Sequence, residues 1–379
     1  MLETPQSPEE FARVLADASR AGRSTTIRGG GSKSGWGRPA PEADLTVSTS
    51  ALNRLIDHRH GDMTATVQAG MRLADLNQAL AVHRQWLPVE SAFPGATIGG
   101  MLATNDCGPM RHRSGTPRDL VIGISLALTD GRLVKAGGHV VKNVAGYDLG
   151  RLMSGSFGAF AGIVDVTFKL MPMPQASATL VVEYGGAAAL AGVVAALLAI
   201  QLEPAALDVR VQSRITNHES RIKLLVRFAS SPASTSEQSN HAAALLTGKV
   251  TVVTGQPEVD LWAEQLQSPW TGKATVVRVT WLPARIAEVL ALVSGHAFAG
   301  RVMGTGLVRL EGDSSTHAAF VERLRSSQVV RHVVVLQAPR AVKEQVDVWG
   351  PPPSSAAATR ALKQMFDPAG ILNAGRGLV

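Results

Sequence analysis

Hydrophobic and polar positions along the chain mark its elements before any motif does. Ser7-Pro8-Glu9-Glu10 is a capping box with proline at the first helical position, which predicts a helix to about Arg20, closed by Gly22. "STTIRG" reads as a short strand entering a run of three glycines. "DLTVST" (44–49) and "MTATVQAG" (63–70) are rich in β-branched residues with turn formers between them, which predicts two more strands. Leu73, Leu76 and Leu80 recur at helical spacing within 72–85. Two apolar runs in 119–137 meet at Thr129-Asp130-Gly131, a hairpin signal. "GIVDVTFKLMPMP" (162–174) predicts a strand that ends in prolines.

The pattern shifts near residue 175. "ATLVVEYG", an alanine-rich helix, "ALDVRVQ", "RIKLLVRFA", "TVVRVTWLP" and "PARIAEVLALVSG" alternate strand and helix, which predicts an antiparallel sheet backed by helices. The closing stretch predicts a helix from near Ser354 and an irregular tail. The expected architecture is α+β in three segments, 1–174, 175–350 and 351–379. The longest apolar run, 185–200, is dominated by Ala and Gly and is shorter than the roughly 20 residues a bilayer needs. It reads as a buried helix, so no transmembrane segment is expected.

Composition narrows the classes. Apolar residues make up 45% and aromatics only 4%, so the chain is globular with a core of Ala, Val and Leu. The single cysteine, Cys107, excludes an intrachain disulfide and a self-contained Cys-ligated iron–sulfur cluster. It suits a reducing, cytoplasmic compartment, and "MLETPQSPEE" is unlike a secretory leader. The net charge of +7 permits acidic partners. Its basic residues are scattered without interleaved aromatics, which speaks against nucleic acid.

Chemistry first surfaces in "RGGGSK" (28–33). A linker reading fails because the run sits between two strands near the start of the chain. The G-x-G-x-x-G pattern fails because Ser34 stands where its last glycine belongs, and the Walker order is absent. Two readings stay open on the residues alone: a tight turn, or a loop whose backbone N–H groups cradle phosphate, helped by Ser32 and by the charge of Arg28 or Lys33. Four further segments follow in order: "PGATIGG" (94–100), "RSGTPRDLV" (113–121), "VKNVAGYDL" (141–149) and "GSFGAFAGIV" (155–164).

As an ordered set over about residues 5–174, these segments resemble the FAD-binding domain of the vanillyl-alcohol oxidase and p-cresol methylhydroxylase (PCMH-type) family. "FDPAGILNAGR" (366–376) is similar to the tail of that family's 2-hydroxyacid dehydrogenase branch. The resemblance implies a two-lobed PCMH-type FAD-binding domain, a smaller α+β cap-like domain with an antiparallel sheet, and a C-terminal helix and tail returning to the FAD domain. It implies that Arg28, Gly29, Gly30, Gly31, Ser32 and Lys33 form the pyrophosphate loop, and that Pro94, Thr97, Gly99 and Gly100 form a second wall. Gly115, Arg118 and Asp119 are then expected near the adenosine and diphosphate, and Gly162 and Ile163 at the adenine or ribose end. Asn143, Tyr147, Asn373 and Arg376 are expected toward the flavin or its ribityl chain. Members with covalent FAD carry a histidine in or beside the first loop. Here the nearest is His58, so non-covalent FAD is expected. Where the dehydrogenase branch commonly has an acidic residue, this chain has Phe157.

Within that branch the segments look most like a flavin-binding subunit of the bacterial glycolate oxidases, assemblies of a catalytic flavoprotein, a second flavoprotein and an iron–sulfur subunit. The branch supplies a base and a metal from a His/Glu cluster in the second domain. None is legible here: "NHES" (217–220) reads as a polar loop, and His58 and His60 in "DHRHGD" as a solvated one. The resemblance therefore implies an FAD-binding subunit that relays electrons between the catalytic flavoprotein and the iron–sulfur subunit, with glycolate or a similar 2-hydroxy acid oxidised at the level of the complex. It would be cytoplasmic, or peripheral at the inner membrane through its partners. No catalytic residue and no metal ligand is assigned. One alternative is a self-sufficient FAD-dependent 2-hydroxyacid dehydrogenase, with Tyr147, Arg278 or Arg309 serving an acid substrate. The other is an interaction subunit that has lost FAD.

Overall fold

A computed structural model describes residues 1–139, 146–212 and 221–377. The chain divides into two compact units. One comprises residues 1–107, 114–173 and 352–379, the other 108–113 and 174–351.

The first unit holds two main sheets. Strands Leu2–Glu3, Leu45–Ser48 and Thr25–Arg28 form a small parallel sheet with Leu45–Ser48 in the centre. Strands Leu55–Arg59, Thr64–Gln68, Gly162–Lys169, Val121–Ala127 and Leu133–Gly137 form an antiparallel sheet in that order. The opening helix spans Pro8–Arg20. The Ser7 hydroxyl caps it by accepting from the Glu10 N–H at 3.1 Å, while the Glu10 carboxylate reaches back to the Gln6 N–H at 2.7 Å. Its Phe11, Val14, Leu15 and Ala18 share one stripe and pack with Leu45, Val47, Val164 and Leu372. Gly162 opens its strand as a glycine because a Cβ there would stand 2.6 Å from the Phe11 ring. A second core lies on the antiparallel sheet, where Leu73, Leu76 and Leu80 of helix Leu73–Ala81 meet Val67, Ile124 and Val166.

Two stretches differ from expectation. The "PGATIGG" segment contains the start of a helix, Ile98–Thr104, and not only a turn. Ile98, Met101 and Leu102 follow helical spacing and are buried, so core packing overrides the low helix propensity of Gly99 and Gly100. The "DHRHGD" stretch is the edge strand Leu55–Arg59 followed by a short turn, not a free loop. His58 bonds the Gln85 amide oxygen at 2.9 Å, and the His60 and His83 rings stack at 4.3 Å.

The second unit is built on an eight-stranded antiparallel sheet, ordered Thr251–Val253, Ala176–Tyr184, Arg221–Ser230, Ala206–Gln212, Ala297–Arg301, Thr305–Leu310, Thr275–Trp281 and Val330–Gln337. One face is apolar and covered by helices, among them the alanine-rich Ala187–Leu198, whose Leu190, Val193, Val194 and Leu197 enter the core. Helix Gln256–Gln267 packs by Trp262 against Ala206 and Leu225 on the other face. That face also carries charge. Arg210 bonds Gln265 at 2.8 Å, and Gln265 bonds the fully buried Asp208 at 2.9 Å. Among the described residues, no helix is long and apolar enough to cross a membrane.

Candidate functional site

The groove of the first unit is assembled from four stretches of chain that meet at the end of strand Thr25–Arg28. Its lining includes residues 27–34, Thr97, Gly99, Gly100, Thr104, Phe157, Gly158, Ile163, Asn373 and Arg376. About 750 Å³ of empty space lies within it, measured to its open mouth and including open solvent.

Each glycine of the opening run has its own cause. A Cβ on Gly29 would overlap the Thr97 hydroxyl, and one on Gly30 would overlap the Gly95 carbonyl oxygen. These two therefore let the loop's backbone lie directly on the second wall. Gly31 has φ +69°, a left-handed conformation that costs L side chains free energy. Close approach and turn geometry thus act in the same three residues, and together they create a run of uncommitted donors. The backbone N–H groups of Gly29, Gly30, Gly31, Ser32 and Lys33 donate to no acceptor among the described residues. Consecutive free N–H groups make an anion-binding concavity.

The charges near the loop are already placed. Lys33 is buried and bonds Asp106 at 3.0 Å; the same carboxylate oxygen accepts the Ser91 hydroxyl at 2.6 Å. The Lys33 ammonium also lies 5.0 Å from the centre of the Phe93 ring. Arg376 donates to the carbonyls of Lys33 at 3.0 Å, Ser34 at 2.6 Å and Trp36 at 3.1 Å. Burial lowers its pKa from the ordinary arginine value.

The tail that delivers Arg376 is held from below. The Asp367 carboxylate accepts the N–H groups of Ile371 at 3.2 Å and Leu372 at 2.8 Å, and Lys363 joins it at 2.5 Å. Strand-like bonds follow, from the Thr25 N–H to the Ile371 carbonyl at 2.8 Å and from the Asn373 N–H to the Thr25 carbonyl at 2.9 Å. The Asn373 amide donates to the Phe157 carbonyl at 2.7 Å. Gly158 is a glycine with φ +70°, and a Cβ there would stand 2.5 Å from that amide.

Of the residues singled out from the sequence, Arg28 to Lys33, Thr97, Gly99, Gly100, Ile163, Asn373 and Arg376 line the groove. Pro94, Gly115, Arg118, Asp119, Tyr147 and Gly162 are not in its lining. The Asp119 carboxylate caps its own short helix, accepting the Thr116 N–H and hydroxyl at 2.8 Å each. Gly115, at φ +76°, lies against that carboxylate, the Arg118 N–H reaches Asn105, and Tyr147 is 92% exposed. Asn143 and "NHES" lie outside the described residues. Sequence reasoning did not single out Thr49, Thr104, Gly158 or the Lys33 partner Asp106. Gly158 lies inside a quoted motif, whereas Asp106 carries no spacing signal because its partner is 73 positions away.

The donor set fits FAD. Two buried polar atoms in the lining, Thr97 Oγ1 and Asn373 Oδ1, have no partner among the described residues. Orphaned polar atoms beside free N–H groups are what a bound phosphate and ribityl or ring polar groups would satisfy. No histidine lines the groove. Among the described residues, no group of three His, Cys, Asp or Glu side chains is disposed to hold a metal.

Comparisons with known proteins agree with the cofactor. Residues 1–137 match the FAD binding domain family. The chain is 31% identical over 205 residues to glycolate oxidase subunit GlcD of Bacillus subtilis, covering 54% of this chain and 44% of that protein. It is 36% identical over 156 residues to glycolate oxidase subunit GlcE of Escherichia coli, covering 41% of this chain and 44% of that protein. A mitochondrial D-lactate dehydrogenase [cytochrome] of Arabidopsis thaliana is 26% identical over 357 residues, covering 87% of this chain and 63% of that protein. The chain thus matches less than half the length of the two glycolate oxidase subunits. In structure it resembles alkyldihydroxyacetonephosphate synthase, with a TM-score of 0.71 at 15% identity over 98% of this chain and 76% of that one, a likeness of fold alone. Residues 1–137 thus carry an FAD binding domain.

Proposed function

We propose that this chain is the FAD-binding subunit of a glycolate-oxidising assembly, and that it relays electrons between a catalytic flavoprotein and an iron–sulfur subunit. The observations that carry this reading are a groove fit for FAD in one unit and, in the other, two buried or half-buried histidines engaged within the fold. His317 is buried, with Nδ1 at 2.9 Å from the Thr275 hydroxyl and Nε2 at 3.3 Å from the Glu311 carbonyl. The His296 ring packs edge-on to Phe320 at 4.4 Å, and burial lowers its pKa. Neither is placed as a base for a hydroxyl proton. The two glycolate oxidase subunits among the relatives support the assembly.

Bound flavin would supply an acceptor able to take and release electrons. The chain's own residues would do the holding. The N–H run 29–33 receives the diphosphate, Thr97 and Asn373 offer hydrogen bonds along the groove, and Ile163 and Ala161 give an apolar floor. Oxidation of a 2-hydroxy acid to the 2-keto acid releases two electrons and two protons. In this reading the catalytic partner performs that step and the electrons pass through this chain to the iron–sulfur subunit. The chain would then sit in the cytoplasm or at the inner membrane through its partners.

The test is turnover of the purified, FAD-loaded chain with glycolate and an artificial dye, alone and with its co-expressed partners. Negligible activity alone and activity with a flavoprotein and an iron–sulfur protein are expected; robust turnover by the isolated chain overturns the relay. A self-sufficient 2-hydroxyacid dehydrogenase is the second reading, favoured by the D-lactate dehydrogenase match running over 87% of the chain. Arg309, an arginine candidate for an acid substrate, is engaged by Glu311 at 2.7 Å.

A further inference from the structure

Three cations touch the groove, and they are not equivalent. Lys33 spends its ammonium on Asp106, inside the protein. Arg376 spends its guanidinium on the carbonyls of Lys33, Ser34 and Trp36. Arg28 is exposed and lines the groove, and its guanidinium makes no hydrogen bond or ion pair to any described residue.

We propose that Arg376 and Lys33 are positioning residues that hold the loop's peptide dipoles in one sense, and that Arg28 is the cation that meets the diphosphate. The loop shows the sorting. The carbonyls of Gly31, Lys33, Ser34 and Trp36 are taken by protein donors. Gly31 O accepts the Ser34 N–H at 3.1 Å and hydroxyl at 2.7 Å, Lys33 O accepts the Trp36 N–H at 3.0 Å, and Arg376 takes Lys33, Ser34 and Trp36. Its N–H groups from 29 to 33 are left without acceptors. Drawing carbonyls to one side leaves an uncancelled row of donors on the other, which favours an anion without a side-chain charge in direct contact. Arginine suits that task because one planar fork reaches several carbonyls at once; an ammonium on a flexible stem cannot reproduce it. Lys33 and Asp106 pin the same loop to the wall that carries Ser91 and Phe93.

The inference rests on the groove holding FAD and on nothing about substrate or partner subunits. The experiment is titration of FAD into the full, deflavinated chain, read by flavin fluorescence at several salt concentrations, with apoprotein melting as the control for folding. Arg28→Gln should weaken FAD about tenfold and flatten the salt dependence, and Arg28→Lys should restore most of both. Arg376→Lys keeps the charge yet should weaken FAD on the order of 30-fold, close to Arg376→Ala, with the salt dependence of the parent protein. Should Arg376→Lys bind like the parent while Arg376→Ala fails, Arg376 is itself a charge contact and the division of roles falls, with the groove reading intact. Arg28 lies at the surface, so its variants report even if an Arg376 variant does not fold: unchanged affinity in Arg28→Gln overturns its assignment. Should none of these variants alter FAD binding, the loop does not hold the cofactor and the groove reading falls as well.

Discussion

The groove of the first unit and the polar face of the eight-stranded sheet both bury charge, and they do so by different rules. Around the groove, the ions are bonded to groups from separate stretches of chain: Lys33 to Asp106, whose carboxylate also accepts Ser91, Lys363 to the Ala159 carbonyl, and Arg376 to three carbonyls. The orphaned atoms there, Thr97 Oγ1 and Asn373 Oδ1, belong to residues that line the cleft. On the sheet face, Asp208 and Arg301 stand directly opposite each other on neighbouring strands. Even so, Asp208 Oδ1 and Arg301 Nε are both buried without a partner. In the first region the missing bonds coincide with a place for a ligand. In the second they fall inside a cross-strand pair, where they act as a cost carried by the fold.

That contrast can be broken at its strongest point first. Gly30→Ala drives a methyl group into the Gly95 carbonyl, a backbone atom that cannot swing aside. FAD binding should fall by more than about 100-fold with a stability loss of about 1–3 kcal/mol, measured by flavin titration and urea unfolding; retained affinity would show that the two walls need not touch. Lys33→Met leaves Asp106 buried and unpaired, and should cost about 3–5 kcal/mol. Adding Asp106→Leu should return much of the stability and little of the FAD affinity, if the pair serves the loop more than the core. Thr97→Val removes an orphaned hydroxyl. The apoprotein should melt no lower than the parent, while FAD affinity should drop about three- to tenfold for one lost hydrogen bond.

The smallest effect belongs to the sheet. Burial raises the pKa of Asp208, against the opposing influence of Arg301, Gln265 and Arg210. The folded chain therefore keeps a proton that the unfolded chain has released. Stability should fall as pH rises from the usual carboxylate range toward the raised folded value. Asp208→Asn should flatten that slope in unfolding measured from pH 4 to 8. An unchanged slope would place the dependence elsewhere, for instance at Asp165, whose pKa burial also raises.

Much of the first unit was legible in its sequence, because its signals are local. The capping box at Ser7 set the helix Pro8–Arg20, and β-branched runs set the strands Leu45–Ser48 and Thr64–Gln68. The glycine run was legible as special, but not for the reasons the structure shows. Gly29 and Gly30 answer to Thr97 and Gly95, some 65 residues away, and no spacing rule connects them. The helix Ile98–Thr104 was hidden by its own glycines. Arg376 was legible as a candidate, whereas its contact with backbone carbonyls of residues 33–36 was not, since a carbonyl has no side-chain identity to read. In the second unit the alternation of strand and helix was legible, but the buried pairing of Asp208 with Arg301 depends on register, which the period of a strand alone does not fix.

The stitching of the tail onto strand Thr25–Arg28 has a consequence for synthesis. The loop that follows this strand is made among the first residues, yet the guanidinium that gathers its carbonyls arrives some 340 residues later, after the whole of the second unit's sheet. A domain whose parts lie this far apart in sequence must wait for loop closure across everything between them. The growing chain can thus fold its eight-stranded sheet while its glycine loop is still unfinished. On the proposed reading capture of the cofactor becomes a late event, and a chain cut short before residue 376 would carry the glycines without the guanidinium that gathers the carbonyls of residues 33–36.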